Sequence, residues 1–309
     1  MRTHTDWQGT HPSARGATVA MGNFDGVHLG HQAVIGRART AAPAPLGIIT
    51  FEPHPRQFFA PAAAPFRLMN AEARAHRLEK LGVAELFELP FDHRLAGMEA
   101  ETFAAEVLSR GLGVSHVTVG ADFCFGRGRK GNAGTLKALG ERLGFGVTVA
   151  EIVRFEGLDI SSTNIRAALA EGRPRDAQAM LGHWHRIEGE VLHGEKRGRA
   201  LGFPTANMAL DGLHLPKLGV YAVKVDVLTG PLAGSYDGAA SLGVRPMFGE
   251  NLPNLETYLF DFAGDLYGQH LSVALVDYLR PEMRFDGLGA LIAQMNADCD
   301  RARAILSKL

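Results

Sequence analysis

Apolar residues in the first half of the chain come in short unbroken runs separated by helical patterns. The runs at Ala17–Met21, Leu46–Phe51, Ala84–Leu89, His116–Gly120 and Val147–Val153 alternate too little for half-exposed strands and predict buried parallel ones. Between them, Gln32 to Arg39 carries Ala33, Val34 and Ala38 on one side of a helix. Asn70–Leu81 reads as a helix capped by Asn70 and stopped at Gly82, and Met98–Arg110 as one stopped at Gly111. A last helix of this half, Asn164–Glu171, is ended by Gly172 and Pro174. Repeated strand–helix units of this kind make a parallel sheet with right-handed crossovers and helices on both faces. In such sheets ligands sit at the carboxyl ends of the strands, near the switch in strand order.

After Leu181-Gly182 the pattern changes to period two. Residues 187–194, 220–228, 238–244, 255–262 and 271–279 alternate as short strands, with Gly, Pro and Asp clustered between them. That is the signature of a small antiparallel barrel or sandwich. The chain closes on a long helix whose Leu288, Leu291, Ile292, Met295, Cys299 and Ile305 fall on one stripe, with Gln294, Asp298 and Arg301 outside it. The predicted division is therefore 1–184, an α/β domain, and 185–309, an antiparallel barrel ending in a helix. No internal repeat is visible.

Composition changes this picture little. A chain of 309 residues suits two domains, and 46% hydrophobic with 21% charged residues supplies two cores. A formal net charge of -1 argues against a nucleic-acid partner. Cys124 and Cys299 offer neither a disulfide framework nor metal-ligand spacing, which fits a reducing cytoplasm. Met1 to Arg15 is polar and lacks the apolar core of a signal peptide, and no apolar run nears the ~20 residues of a membrane helix.

The chemistry is densest at Gly22-Asn23-Phe24-Asp25-Gly26-Val27-His28-Leu29-Gly30-His31, between a buried strand and a helix. Glycines let the backbone turn sharply and approach a ligand, and the N–H groups at the helix start favour an anion. His28 and His31, three apart, project from one face if the helix begins near His28. Together these features predict a phosphate site.

Ser161-Ser162-Thr163, followed by Arg166, opens the Asn164–Glu171 helix. One hydroxyl suffices to cap a helix; three and a guanidinium also make a phosphate cradle. Gly126-Arg127-Gly128-Arg129-Lys130-Gly131 is formally a G-x-G-x-x-G, but five residues separate it from the strand and its variable positions are Arg, Arg and Lys. A dinucleotide fingerprint is rejected in favour of a basic flexible loop that clamps phosphates, so no nicotinamide oxidoreductase is expected. In Phe51-Glu52-Pro53-His54-Pro55 two prolines hold the backbone extended and display His54 at the same sheet edge. Lys196-Arg197-Gly198-Arg199-Ala200-Leu201-Gly202-Phe203-Pro204-Thr205-Ala206-Asn207 reads as a basic loop entering a polar Pro-Thr-Ala-Asn turn. It suits nucleotide phosphates and a metal held by Thr205 and Asn207 oxygens. Glu256 stands on the strand face opposite Leu255, Thr257 and Leu259, where a lone Glu is normally solvated.

These residues together resemble the bifunctional riboflavin kinase/FAD synthetase family of bacteria. The stretches that carry the resemblance are GNFDGVHLGHQ (22–32), FEPHP (51–55), LPFD (89–92), FCFGRGRKGN (123–132), SSTNIR (161–166), HGEKRGRALGFPTAN (193–207), GVYAV (219–223), DFAGDLYG (261–268) and YLRPEMRFDGL (278–288). The resemblance implies a Rossmann-like nucleotidyltransferase sheet followed by a riboflavin kinase barrel. It implies ATP, riboflavin and FMN as substrates, with Mg2+. The barrel phosphorylates riboflavin to FMN, and the first domain adenylylates FMN to FAD and pyrophosphate. It further implies that His28 and His31 stabilise charge on the ATP phosphates, alongside Gly22, Asn23, Phe24, Asp25 and Gly26. Ser161, Ser162, Thr163 and Arg166 hold the same phosphates, and His54, Asp122, Arg127, Arg129 and Lys130 are FMN-binding or loop residues. In the kinase, Thr205 and Asn207 match the metal–nucleotide residues and Glu256 the base. Gly194, Lys196, Arg199, Gly202, Pro204 and Arg280 are further nucleotide or flavin candidates. Asp122, Ser241 and Met247 depart from commoner family residues. Competing readings are an enzyme with one working module, and a flavin carrier with vestigial sites.

Overall fold

The structure is a computed structural model that describes residues 1–309 except 152–153, 156–157, 194–201 and 248–249. Contacts divide it into two compact units, Met1–Ala64 with Arg74–Ile160, and Pro65–Ala73 with Ser161–Leu309.

The first unit is built on β1 (Arg2–His4), β2 (Thr18–Met21), α1 (Leu29–Ala41), β3 (Leu46–Glu52), α2 (Pro55–Phe59), α3 (Ala71–Lys80, reaching back into the second unit) and β4 (Glu85–Pro90). It continues with α4 (His93–Gly97), α5 (Ala100–Thr102), β5 (His116–Gly120), the hairpin β6–β7 (Cys124–Phe125, Gly131–Asn132), α6 (Ala133–Leu143) and β8 (Gly146–Ala150). Six strands pair in the order β1-β4-β3-β2-β5-β8, all parallel. Strand order reverses beside β2, so the loops after β2 and β5 flank the switch point. The apolar runs of β2, β3, β4 and β5 are buried on both faces, with Val19, Ile48, Ile49, Leu86 and Val117 without exposed surface, whereas the run at β8, read as buried, forms an edge strand with Val149 42% exposed.

The polar start contributes β1, paired in parallel with β4. Two readings of this half need correction. The helix expected to stop at Gly111 runs on from α5 through a wide π-helical stretch, Phe103–Leu112. Gly111 lies inside it, where a Cβ would stand 2.8 Å from the carbonyl oxygens of Glu106 and Trp7; Gly113, at φ 60°, is the stop. The basic loop after β5 is not free either. It forms the β6–β7 hairpin around a 3-10 turn at Arg127–Arg129, and α6 begins only after the Asn132 cap. No α-helix starts at Gly126, in agreement with rejecting a dinucleotide fingerprint.

The first unit ends with the short antiparallel pair β9–β10 (Arg154–Phe155, Leu158–Asp159), and the second begins its helices with α7 (Ser162–Ala170) and α8 (Pro174–Leu181). Next come β11 (Arg186–Glu190), β12 (Ala206–Ala209), β13 (Gly219–Val227), β14 (Gly234–Met247), β15 (Glu250–Leu259), β16 (His270–Arg280) and α9 (Leu288–Leu306). The strands pair antiparallel as β11-β16-β13-β14-β15-β12, and a bridge between Leu192 and Asn207 brings the two ends together in a nearly closed barrel. Its interior is filled by Ile187, Met208, Val223, Leu255, Val273 and their neighbours. Helices α7 and α8 bury Ile165, Leu169, Ala177 and Leu181 with Leu68. By contact they therefore go with this unit.

Two expectations for this half are overturned. Pro204 to Asn207 is not a turn: residues 206–209 form β12, whose alternate Ala206 and Met208 enter the core. The closing helix buries only its second half, through Ala302 and Leu306, while Leu288 is 56% exposed. Asp298, placed outside by periodicity, is buried, because Arg280 meets its carboxylate with Nε and Nη2 at 2.7–3.0 Å. A paired charge tolerates burial that a lone one does not.

Candidate functional sites

In the first unit, β2 ends at Met21 and the chain turns through Phe24 and Val27, both at positive φ (51° and 43°). Such angles are uncommon for Phe and an outlier for a β-branched residue, so neighbouring contacts must hold the turn. They do: Val27 N–H donates to the Phe24 carbonyl (3.1 Å), Gln32 Nε2 to the Val27 carbonyl (2.9 Å), and Thr50 Oγ1 to the Asn23 carbonyl (3.2 Å). Asp25 is buried. His28 is the cap of α1, its Nδ1 accepting from the His31 N–H at 3.3 Å. The two imidazoles stack with centroids 3.7 Å apart, and the Phe24 ring lies tilted against His31 with centroids 5.1 Å apart. A Cβ on Gly30 would come within 3.1 Å of the His28 ring, so glycine is what lets that ring fold back. His31 Nδ1 is buried with no hydrogen-bond partner. Burial, and then the neighbouring His28, push the His31 pKa well below the usual imidazole value. The turn thus offers nitrogen donors and the first N–H groups of a helix to an anion.

At the same carboxyl edge, His54 follows Glu52 and caps α2, accepting from the Arg56 N–H at 3.0 Å. Arg74, 1% exposed, reaches Glu52 at 2.9 Å and Glu88 at 2.6 Å, tying the ends of β3 and β4 together. Sequence reasoning missed this triad, because nothing in the pattern of α3 marks Arg74 as its buried cation. Asp122 is exposed, as are Arg127, Arg129 and Lys130; Arg127 Nε meets Glu99 at 2.8 Å.

In the second unit, Ser161 Oγ accepts from the Asn164 N–H and caps α7, which accounts for one of the three hydroxyls. Ser162 is half-buried and Thr163 exposed. Arg166 donates from Nε to the Phe66 carbonyl at 2.5 Å, with its guanidinium over the Phe66 ring.

The barrel carries a second cluster. Asn207 of β12 and Glu256 of β15 are direct cross-strand partners, and Ser241 of β14 is the partner of Glu256 on its other side. Directly paired residues share a face, so Ser241, Glu256 and Asn207 form one polar row across three strands. Asn254, two residues before Glu256, stands on the same face. Its Nδ2 donates to Asn207 Oδ1 at 2.9 Å and lies 3.5 Å from Glu256 Oε1. A cavity of about 360 Å³ opens beside this row, lined by Pro204, Thr205, Asn207, Asp265 and Tyr267 among others. Gly202 precedes it at φ 84°. Gly194, Lys196 and Arg199 lie outside the described residues. Arg280 is committed to Asp298, to the Pro281 carbonyl (2.9 Å) and to the face of Phe285.

A histidine-bearing turn at the switch point of a parallel sheet and an Asn–Glu row on an antiparallel barrel define a two-module transferase acting on phosphorylated substrates. The comparisons with known proteins agree. The FAD synthetase family matches residues 10–164 and the riboflavin kinase family residues 181–306. A bifunctional riboflavin kinase/FMN adenylyltransferase of Pseudomonas fluorescens is 44% identical over 298 residues, 95% of this chain and 94% of the relative. The protein of that description from Escherichia coli K12 is 39% identical over 92% of this chain and 90% of its own. A solved structure described as a macrolide-efflux protein from Streptococcus pneumoniae superposes with TM-score 0.83 at 31% identity, covering 97% of this chain and 98% of that one. Among the described residues, no helix is long and apolar enough to cross a membrane. The chain belongs to the bifunctional riboflavin kinase/FMN adenylyltransferase family.

Proposed function

We propose that this chain makes FAD from riboflavin in two ATP-dependent steps, with 185–309 as the kinase module and 1–184 as the adenylyltransferase. The observation that carries the kinase half is the Asn207–Glu256 pair beside a cavity that also takes Thr205. The Glu256 carboxylate accepts the proton of the riboflavin 5′-hydroxyl as that oxygen attacks the γ-phosphorus of ATP and ADP leaves. Positioning and charge neutralisation supply most of such a transfer.

Thr205 and Asn207 present neutral oxygens, which fit a hard cation that keeps waters and phosphates in its shell. The Asn207 carbonyl oxygen accepts one hydrogen bond from Asn254, leaving a lone pair, and the buried Asn254 Oδ1 is unpartnered. Among the described residues no cluster of three His, Cys, Asp or Glu forms an all-protein metal cage. Thr205 and Asn207 would hold the Mg2+ that accompanies ATP, which would supply neutralisation of phosphate charge there.

In the adenylyl transfer the FMN phosphate is itself the nucleophile, so no strong base is needed. It attacks the α-phosphorus of ATP and pyrophosphate leaves. His28, His31 and the turn at Gly22–Gly26 stabilise the charge that grows there. Ser162, Thr163 and Arg166 contribute further phosphate contacts; His54, Asp122 and the Arg127–Lys130 turn serve FMN. Arg280 stands near the flavin end of the kinase site. Two free thiols, Cys124 and Cys299, support a reducing cytoplasm, and the net charge of -1 supports small-molecule rather than nucleic-acid partners.

A product time course with riboflavin, ATP and Mg2+ tests the reading. FMN should appear first and FAD follow; FMN accumulating with no FAD would remove the adenylyltransferase half, and flavin binding without ATP consumption both halves.

A further inference from the structure

Asn254 is 3% exposed, yet it sits on the polar row of the barrel rather than in its apolar interior. Its cross-strand partners, Ala209 on β12 and Gly243 on β14, are both small, and the Glu282 carboxylate fills the space over Gly243. The amide reaches both residues assigned to the kinase chemistry, through Nδ2 to Asn207 Oδ1 (2.9 Å) and toward Glu256 Oε1 (3.5 Å). Its own Oδ1 is buried with no hydrogen-bond partner. A buried, unpaired amide oxygen is a cost to folding, and an apolar side chain of the same size would avoid it. A residue kept for stability alone would not be chosen this way.

We propose that Asn254 is a positioning residue for riboflavin phosphorylation, holding the Asn207 carboxamide and the Glu256 carboxylate in one fixed arrangement. The inference rests on the reading of Asn207 and Glu256 given above. An Asn side chain can rotate its oxygen and nitrogen ends with little penalty in water. With Asn254 Nδ2 donating to its oxygen, Asn207 presents that oxygen, with one lone pair left, and not its NH2 group, to the nucleotide side of the cavity. The second N–H of Asn254 lies toward Glu256 Oε1 at 3.5 Å and so holds the orientation of the carboxylate that receives the hydroxyl proton. The O–H bond of riboflavin breaks toward Glu256 while the new O–P bond forms and the bond to ADP breaks. Asn254 itself touches neither substrate.

The test uses the full chain carrying Asn254→Leu, which matches the size of Asn and removes both the donor and the unpaired oxygen, with Asn254→Asp as a second variant that keeps shape but cannot donate. Riboflavin phosphorylation should lose about 30- to 100-fold in kcat in both, with KM for riboflavin within about threefold. FMN adenylylation from supplied FMN should be unchanged, and the urea midpoint of Asn254→Leu equal to or above that of the unaltered chain. A structural role predicts the opposite: a lower midpoint and an intact kcat. Glu256→Gln is assayed in parallel. If Glu256→Gln is inactive while Asn254→Leu and Asn254→Asp phosphorylate at the normal kcat, the positioning role is wrong and the site reading stands. If Glu256→Gln is active, the site reading fails and the positioning role with it.

Discussion

The imidazole rings of His28 and His31 stack at 3.7 Å, inclined by 18°, with Gly30 between them making the approach possible. One side chain therefore does two jobs, since His28 also caps α1. His28→Ala removes both, and should lower FMN adenylylation by about 10²-fold or more while costing about 1 kcal/mol of stability. His28→Asn keeps a cap and should restore the stability without the activity. Riboflavin phosphorylation should stay within twofold in each. Rates with supplied FMN, beside thermal melts, separate the two jobs; equal loss of both reactions with the fold intact would contradict two separate sites.

Gly30→Ala should act through the same pair. The added methyl meets the His28 ring at 3.1 Å, so the ring must shift by a few tenths of an ångström. A drop of roughly tenfold in adenylylation, with little change in melting temperature, is expected because small misplacements of catalytic groups are expensive. Steady-state rates measure it.

The second unit carries a pH dependence. Burial, then the neighbouring His214 and His183, bring the His185 pKa down to about 3. The folded protein keeps this imidazole neutral while the unfolded chain protonates it near the ordinary value of about 6.5. Its contribution is thus fully present above pH 6.5 and is lost as pH falls from there toward 3, a change on the order of 5 kcal/mol. Urea titrations of the barrel between pH 7 and pH 4 should show the midpoint falling, and His185→Leu should flatten that slope. An unchanged slope in the variant would assign the effect to other groups.

Arg74 is the cation between Glu52 and Glu88. Removing it takes away the guanidinium that both carboxylates meet. Arg74→Met should destabilise the first unit by about 2–4 kcal/mol. Chemical denaturation of the variant beside the unaltered chain reads this directly.

Asp298 pairs with Arg280 where both are largely buried. Asp298→Ala should therefore release α9 from β16 at a cost of about 3 kcal/mol, whereas Asp298→Ala combined with Arg280→Met should recover part of it. Protection of the α9 amides from hydrogen exchange is the measurement. A single variant as stable as the unaltered chain would mean the pair is not what pins the helix.

Much of this was legible in the residues. Four strands of the first unit fell within a residue of where unbroken apolar runs put them, because a strand covered on both faces has no polar side to confuse its pattern, while the run read as Val147–Val153 ends at Ala150 as a half-covered edge strand. The Asn70 cap was legible for the same local reason: an Asn oxygen and an N–H three residues on meet at 2.8 Å. The turn at Gly22–His31 stood out because its glycines and histidines serve one short stretch of backbone. Asn254 left a weak signal, two residues from Glu256 on a period-two strand, but only the hydrogen bond to Asn207 gives it a meaning.

What the sequence by itself determined were the local and periodic features: strand type, helix caps, the division into an α/β half and a barrel, and the motifs that mark the family. The tertiary structure decided whatever depends on partners distant in the chain. It made Ala206–Ala209 a strand, because β15 was there to pair with it. It buried Asp298 against the periodicity of its helix, because Arg280 waited eighteen residues back to neutralise it. And it drew Asn254 and Asn207, forty-seven residues apart, into one hydrogen bond beside Glu256. Periodicity reports which face a side chain is on; only packing decides whether the group opposite can satisfy its charge or its hydrogen bonds.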